Sequence, residues 1–178
     1  QYLAEVKGVR DLYEGDTFYT HFCYSNPKAR KFLVDFWVDY AQRKPYVDFF
    51  HIWLADASNN QCECEECRKR EPSDWYVLLL NEIDEALTKI GNKSRLVLIL
   101  YVDLNRPPKT LKLRDNVLVG LCVTECDFTR PLVSNPNEGN KTFLDALKTW
   151  SRISGGVCNV IRAAMDANLA IYACHLPL

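Results

Sequence analysis

Three short apolar runs set the limits on what this chain can fold into. VDFFHIWLA at 47–55, RLVLILYVD at 95–103 and NVLVGLCVT at 116–124 are of strand length, rich in β-branched and aromatic residues, and apolar on successive positions, the pattern of strands covered on both faces. Around them the apolar positions recur at three and four. Ala29, Phe32, Leu33, Phe36, Trp37 and Tyr40 predict a helix with one buried face, capped by Asn26 with Pro27 at its first position. Tyr76, Leu79, Leu80, Ile83, Leu87 and Ile90 predict a second, opened at Pro72 or Ser73 and closed by Gly91. A third is expected from about Lys141 to Ile153, ended by Gly155 and Gly156, with further apolar pieces at 157–161 and 169–173. Buried strands alternating with amphipathic helices call for a parallel sheet, because crossovers of this length return the chain in the same direction.

The expected class is therefore α/β, and two architectures satisfy it. A doubly wound sheet would carry a glycine-rich phosphate turn after a strand; none is present, and the chain holds only seven glycines. That favours a (β/α) barrel. A full eight-unit barrel takes about 250 residues, so 178 residues predict a partial or truncated barrel with parallel strands and outer helices, one domain over 1–178 or a fragment of one.

Composition narrows the partners. With 22 basic and 23 acidic side chains and no basic stripe to track a phosphate backbone, nucleic acid is not expected. The apolar runs fall short of the ~20 residues of a membrane span, and the N-terminal stretch has no signal-peptide layout; the expectation is a soluble chain, cytosolic or already trimmed of a leader.

In either architecture ligands bind beyond the C-terminal ends of the strands. Asp56 follows the first strand, Asp103 the second, and Glu125 with Asp127 the third. Carboxylates so placed suit glycoside cleavage, in which one acid protonates the departing oxygen and another acts as base or nucleophile. Asp56 and Glu125 are the expected pair, with Asp103 and Asp127 as ligand contacts. Trp53 and Tyr101 lie near the same ends and offer flat faces to a pyranose. Trp37 and Trp150 are expected in the core, Trp75 on either side, and Asp74, in the first turn of a helix, as a cap or dipole partner.

Eight cysteines are present, three of them crowded into CECEEC as Cys62, Cys64 and Cys67. Such spacing disfavours disulfides among these neighbours. With Cys23, which precedes a helix, they make a four-thiolate set for a structural zinc, although C-x-C-x-x-C is not the paired C-x-x-C of common zinc modules. Reduced thiols packed together, or a bridge from Cys23 to one of the three, are the alternatives.

The order HFCYSNP, WLADASNNQCECEEC, PSDWYVLLLNEIDEAL, LILYVDLNRPPK and DNVLVGLCVTECDFTRPL resembles an uncharacterised bacterial family, a domain of unknown function regarded as a glycoside-hydrolase-like TIM barrel and distantly similar to α-glucuronidase and β-hexosaminidase barrels. The likeness runs from about Phe18 to Trp150 and rests on the cysteine spacing, Ser73-Asp74 and Asn81-Glu82 at their intervals, with Asp56, Tyr101, Asn116 and Glu125 among the matching positions. It implies a carbohydrate ligand and an exported, periplasmic or cell-surface location. Two departures matter: Trp75 stands where such sequences carry an arginine, and the tail lacks an expected Trp-Asp-Tyr strand near 160, for which Asp166 is a replacement candidate. A carbohydrate-binding or scaffold domain without turnover, and a zinc-stabilised structural domain, are the competing functions.

Overall fold

The computed structural model describes residues 2–122, 126–127, 129–134, 136–154 and 158–161. Within them four strands, β1 (Phe49–Ile52), β2 (Arg95–Leu100), β3 (Val117–Cys122) and β4 (Cys158–Ile161), alternate with three helices, α1 (Pro27–Arg43), α2 (Pro72–Lys89) and α3 (Glu138–Ile153). The sheet runs β1-β2-β3-β4 in chain order, and every pairing is parallel, with Phe50 opposite Leu96, Leu98 opposite Val119 and Gly120 opposite Asn159.

The sheet is open, and this corrects the barrel expectation. β1 and β4 are its two edges, and no pairing joins them among the described residues. Closure needs enough tilted strands for the first to meet the last, about eight in this family of architectures. Alternation of strand and helix reports local crossovers and fits open and closed sheets alike, and the missing glycine-rich turn, which favoured the barrel, speaks to phosphate binding and carries no information on whether the ends meet.

The helices form where capping and apolar spacing coincide. At α1, Asn26 Oδ1 accepts from the Lys28 amide at 2.9 Å and Pro27 opens the first turn. Its buried face is narrower than the apolar stripe: Ala29 and Ala41 are buried and Leu33, Trp37 and Tyr40 pack on the core, but Phe32 and Phe36 are about half exposed. Phe32 instead meets Phe22 and Tyr2, with ring centroids 6.0 and 6.4 Å apart. α2 supplies the centre of the core with Tyr76, Val77, Leu79, Leu80, Ile83 and Leu87, all at most 2% exposed. It stops at Gly91, whose φ of +73° suits a residue without Cβ; Ile90, expected inside, is exposed. On the sheet, Leu96, Leu98 and Leu100 join this core while Val97 and Leu118 pair separately, as the two-residue period of a strand requires. α3 begins three residues before its expected start because Asn137 accepts from the amides of Gly139 and Asn140, and it buries Trp150 completely.

Polar side chains on the outer part of α2 hold the connections in place. Both carboxylate oxygens of Glu82 share the Arg30 Nε–H at 3.0 Å, tying α1 to α2. Asn81 receives the Arg114 amide and donates to Lys112 O. Asp84, itself buried, takes Arg114 at 2.5 Å and Asn116 at 2.8 Å. No helix among the described residues is long and apolar enough to cross a membrane.

Candidate metal centre and strand-end cleft

The N-terminal arm lies across the loop that follows β1. Leu3 bridges Phe22 in antiparallel fashion, and the Glu63 amide donates to Glu5 O at 2.7 Å. These contacts bring together Cys23, just before α1, and Cys62, Cys64 and Cys67, on the loop before α2. The four sulfurs lie within 4.8 Å of one another. Cys23 Sγ is 3.7 Å from Cys64 Sγ and 3.8 Å from Cys67 Sγ. A tetrahedron of thiolates at a zinc–sulfur distance of about 2.3 Å has edges of about 3.8 Å, so these separations fit the metal and are far beyond a disulfide bond of about 2.05 Å. Cys23, Cys62, Cys64 and Cys67 are free thiols.

The surroundings favour the thiolate at Cys62 and Cys64. Ala4 and Val6 shield the cluster on its apolar side. The Glu5 amide donates to Cys62 Sγ at 3.3 Å, and Ser25 Oγ lies 3.1 to 3.6 Å from Cys23, Cys64 and Cys67. Hydrogen bonding from Cys67 and from the Glu5 amide pulls the Cys62 thiol down to about 4, and the same contact pushes Cys67 up. Burial would raise Cys64, but the Cys67 amide and Ser25 outweigh it and the net shift is downward. The Arg10 guanidinium beside Cys23 and Cys64 is held charged by them and is anchored on Leu3 O and Glu5. Donor type, edge length and counter-charge together match a closed four-sulfur zinc site; Cys23, Cys62, Cys64 and Cys67 would hold the ion.

A cleft of about 500 Å³ opens at the C-terminal ends of β1 and β2, and Trp53, Asp56, Tyr101 and Asp103 all line it. Trp53 is half exposed and stands edge-on to His51, 6.3 Å between ring centroids. Asp56 is partly buried; its Oδ1 accepts from the Ala57 amide at 2.8 Å and its own amide donates to Phe18 O. Asp103 Oδ2 accepts from the Asn59 amide at 2.7 Å, fastening the cysteine loop to the end of β2. Ala57, Asn59 and Val102, on these same turns, have φ of 76°, 57° and 42°. L-residues adopt such backbone at a cost of about 1–3 kcal/mol each, and it collects at functional sites.

The other expected site residues are placed differently. Asp127 caps its own turn, accepting from Thr129 N and Oγ1 at 2.8 and 2.7 Å, and its amide donates to Asn140; it does not line the cleft. Glu125 and Asp166 lie outside the described residues, as do Gly155 and Gly156 and the piece at 169–173. Asp74 stands in the first turn of α2, where a dipole partner is expected, but it does not cap the helix: α2 has no side-chain cap, and the Asp74 carboxylate binds the amides of Lys109 and Thr110 and the Thr110 hydroxyl.

Phe18, His21 and Gln61 also line the cleft, and the sequence does not single them out. Phe18 is exposed. His21 is 1% exposed, with Nε2 3.2 Å from Gln61 Nε2 and Nδ1 3.2 Å from Tyr24 Oη. Burial holds the His21 imidazolium down to about 4. In the neutral ring one of these nitrogens donates and the other accepts. Position offered one signal: His21 and Gln61 each lie within two residues of a cluster cysteine.

A family model described as Domain of unknown function (DUF4838) matches residues 9–158, so the chain belongs to that family. No curated protein and no solved structure matches the chain.

Proposed function

We propose that this member of the DUF4838 family binds a saccharide in the strand-end cleft, on a rim stiffened by a zinc ion held by Cys23, Cys62, Cys64 and Cys67. The observation that carries the reading is the convergence of two aromatic faces, Trp53 and Tyr101, with two carboxylates, Asp56 and Asp103, on one cleft. Sugar rings pack on flat aromatic faces and present hydroxyls to carboxylates, so this mixture suits a saccharide better than a wholly apolar ligand. The zinc would be structural, since four thiolates leave no open coordination position; it would cross-link the turn at Cys23 to the loop that carries Asn59 and Gln61.

Titration calorimetry of the metal-loaded chain against a panel of neutral and acidic oligosaccharides tests this. A Trp53→Ala variant is expected to weaken binding about tenfold, the value of one stacked ring in a wet site. Failure of every saccharide to bind, with the variant and wild type alike, removes the reading.

Turnover is a second reading, favoured by the strained backbone at Ala57, Asn59 and Val102. In it Asp56 acts as one carboxyl of a hydrolytic pair, and Glu125, which follows β3 in the chain, as the other. Asp56→Asn separates the two: a binding domain keeps its ligand and has no rate to lose, whereas a glycosidase loses hydrolysis by two orders of magnitude or more, a typical contribution of a positioned acid or base.

A further inference from the structure

We propose that the cavity beside the thiol cluster is a second subsite that takes an anionic substituent of the saccharide, a carboxylate or a sulfate; this rests on the saccharide reading above and names the ligand class of the same site. The cavity, about 560 Å³, is lined by Arg68, Arg70, Arg106 and Trp75 together with Glu63 and Glu71. Tyr24, Gln61 and Asp103 line both this cavity and the aromatic cleft. A ligand seated on Trp53 and Tyr101 therefore has a neighbouring compartment across Asp103.

The charges of that compartment are not equivalent. Each of its carboxylates is already engaged: Glu63 accepts from the Lys7 amide at 2.8 Å and lies 3.7 Å from Arg68, Glu71 pairs with Lys109 at 2.5 Å, and Asp103 holds the Asn59 amide. Arg70 and Arg106 have no carboxylate at ion-pair distance among the described residues. Arg70 is oriented as well as uncommitted. Its guanidinium lies 5.0 Å over the Trp75 ring, and Trp75 is itself fixed by its indole N–H donating to Cys67 O at 2.9 Å. A guanidinium held over an indole by cation–π attraction leaves its N–H groups available, and a carboxylate or sulfate can take two of them at once. The negative charge of the thiolates does not consume these arginines, because Arg10 and the Glu5 amide face the cluster from the arm.

Two measurements test the subsite on the metal-loaded chain. In the first, sodium sulfate and then sodium acetate are titrated while the indole N–H resonance of Trp75 is followed by NMR. Wild type is expected to show a saturable shift, abolished in the Arg70→Gln/Arg106→Gln double variant, whose remaining indole resonances report that it is folded. In the second, cellotetraose, its C6-oxidised form and its 6-O-sulfated form are compared by calorimetry. The anionic forms are expected to bind about tenfold tighter than the neutral parent, consistent with a charge-assisted bidentate contact, and to lose that advantage in the double variant and in high salt. Preference for the oxidised form assigns a carboxylate, and preference for the sulfated form assigns a sulfate. The proposal is overturned if the indole shift is absent or survives in the double variant, or if neutral and anionic forms bind equally. A saturable indole shift without binding of any oligosaccharide removes the saccharide reading and leaves an anion site with the wrong ligand class, which also overturns the proposal as stated.

Discussion

Ala57 holds φ at 76° next to Asp56, a backbone that glycine adopts freely and alanine at a cost of about 1 kcal/mol. Ala57→Gly is therefore expected to raise the thermal midpoint by a few degrees while weakening saccharide binding, because the turn that aims Asp56 gains freedom. Calorimetric melting and ligand titration on the same variant check both halves; a gain in stability with unchanged affinity assigns the strain to folding alone. Asp74 behaves differently. Burial would raise its carboxyl, but the amides of Lys109 and Thr110 and the Thr110 hydroxyl hold it below its ordinary 3.8. With the folded value depressed, the unfolded chain takes up the proton first as pH falls, so the stabilisation is complete above 3.8 and is lost as pH drops through the folded value. Asp74→Asn is expected to cost ~1.5–3 kcal/mol at neutral pH, the range for hydrogen bonds to a charged group, and to flatten the stability profile below pH 4 in denaturant melts. The sequence announces that an acid stands in the first turn of a helix, which reads as a cap. It does not announce that a loop 35 residues on will fold back over that acid, and the same blindness to distant partners hid His21 and Gln61.

At the scale of elements the sequence was informative wherever a local period decided the outcome. α2 shows five of its six expected core positions fully buried because these five join the sheet residues in one core cluster. α1 shows the limit of the same reasoning: Phe32 and Phe36 share the apolar spacing, yet the sheet reaches only the Leu33, Trp37 and Tyr40 side. The expected strand bounds are too generous, with β1 covering Phe49–Ile52 rather than 47–55; Trp53, Leu54 and Ala55 leave the ladder to line the cleft. These differences give a quantitative expectation. Leu80→Ala, at a site with no exposure at the centre of the core, should cost ~2–5 kcal/mol, whereas Phe36→Ala, half exposed on α1, should cost under about 1 kcal/mol from lost area alone. Urea unfolding of the pair measures whether the packed face of α1 is the narrow one described here.

At the scale of the molecule, the thiol cluster joins segments that the chain keeps apart: the arm through Glu5 and Arg10, the turn at Cys23, and the loop from Cys62 to Cys67. That loop also carries Asn59 and Gln61, which reach Asp103 and His21 at the cleft. A metal there would act on the ligand site through the backbone, by removing the freedom of a long loop closed between Cys23 and Cys62, without touching the ligand. Cys67→Ser separates this from a general loss of stability. Bound zinc is expected to fall from near one equivalent to near zero by elemental analysis, stability to drop by roughly 4 kcal/mol or more, and the midpoint by about 10 °C. Leu80→Ala supplies the comparison, since it destabilises the core without reaching the loop. If the metal holds the rim, Cys67→Ser loses saccharide affinity at temperatures where it is still folded, and Leu80→Ala at matched stability does not. Equal loss in both, or retention in both, would confine the cluster to holding the arm on the body of the protein.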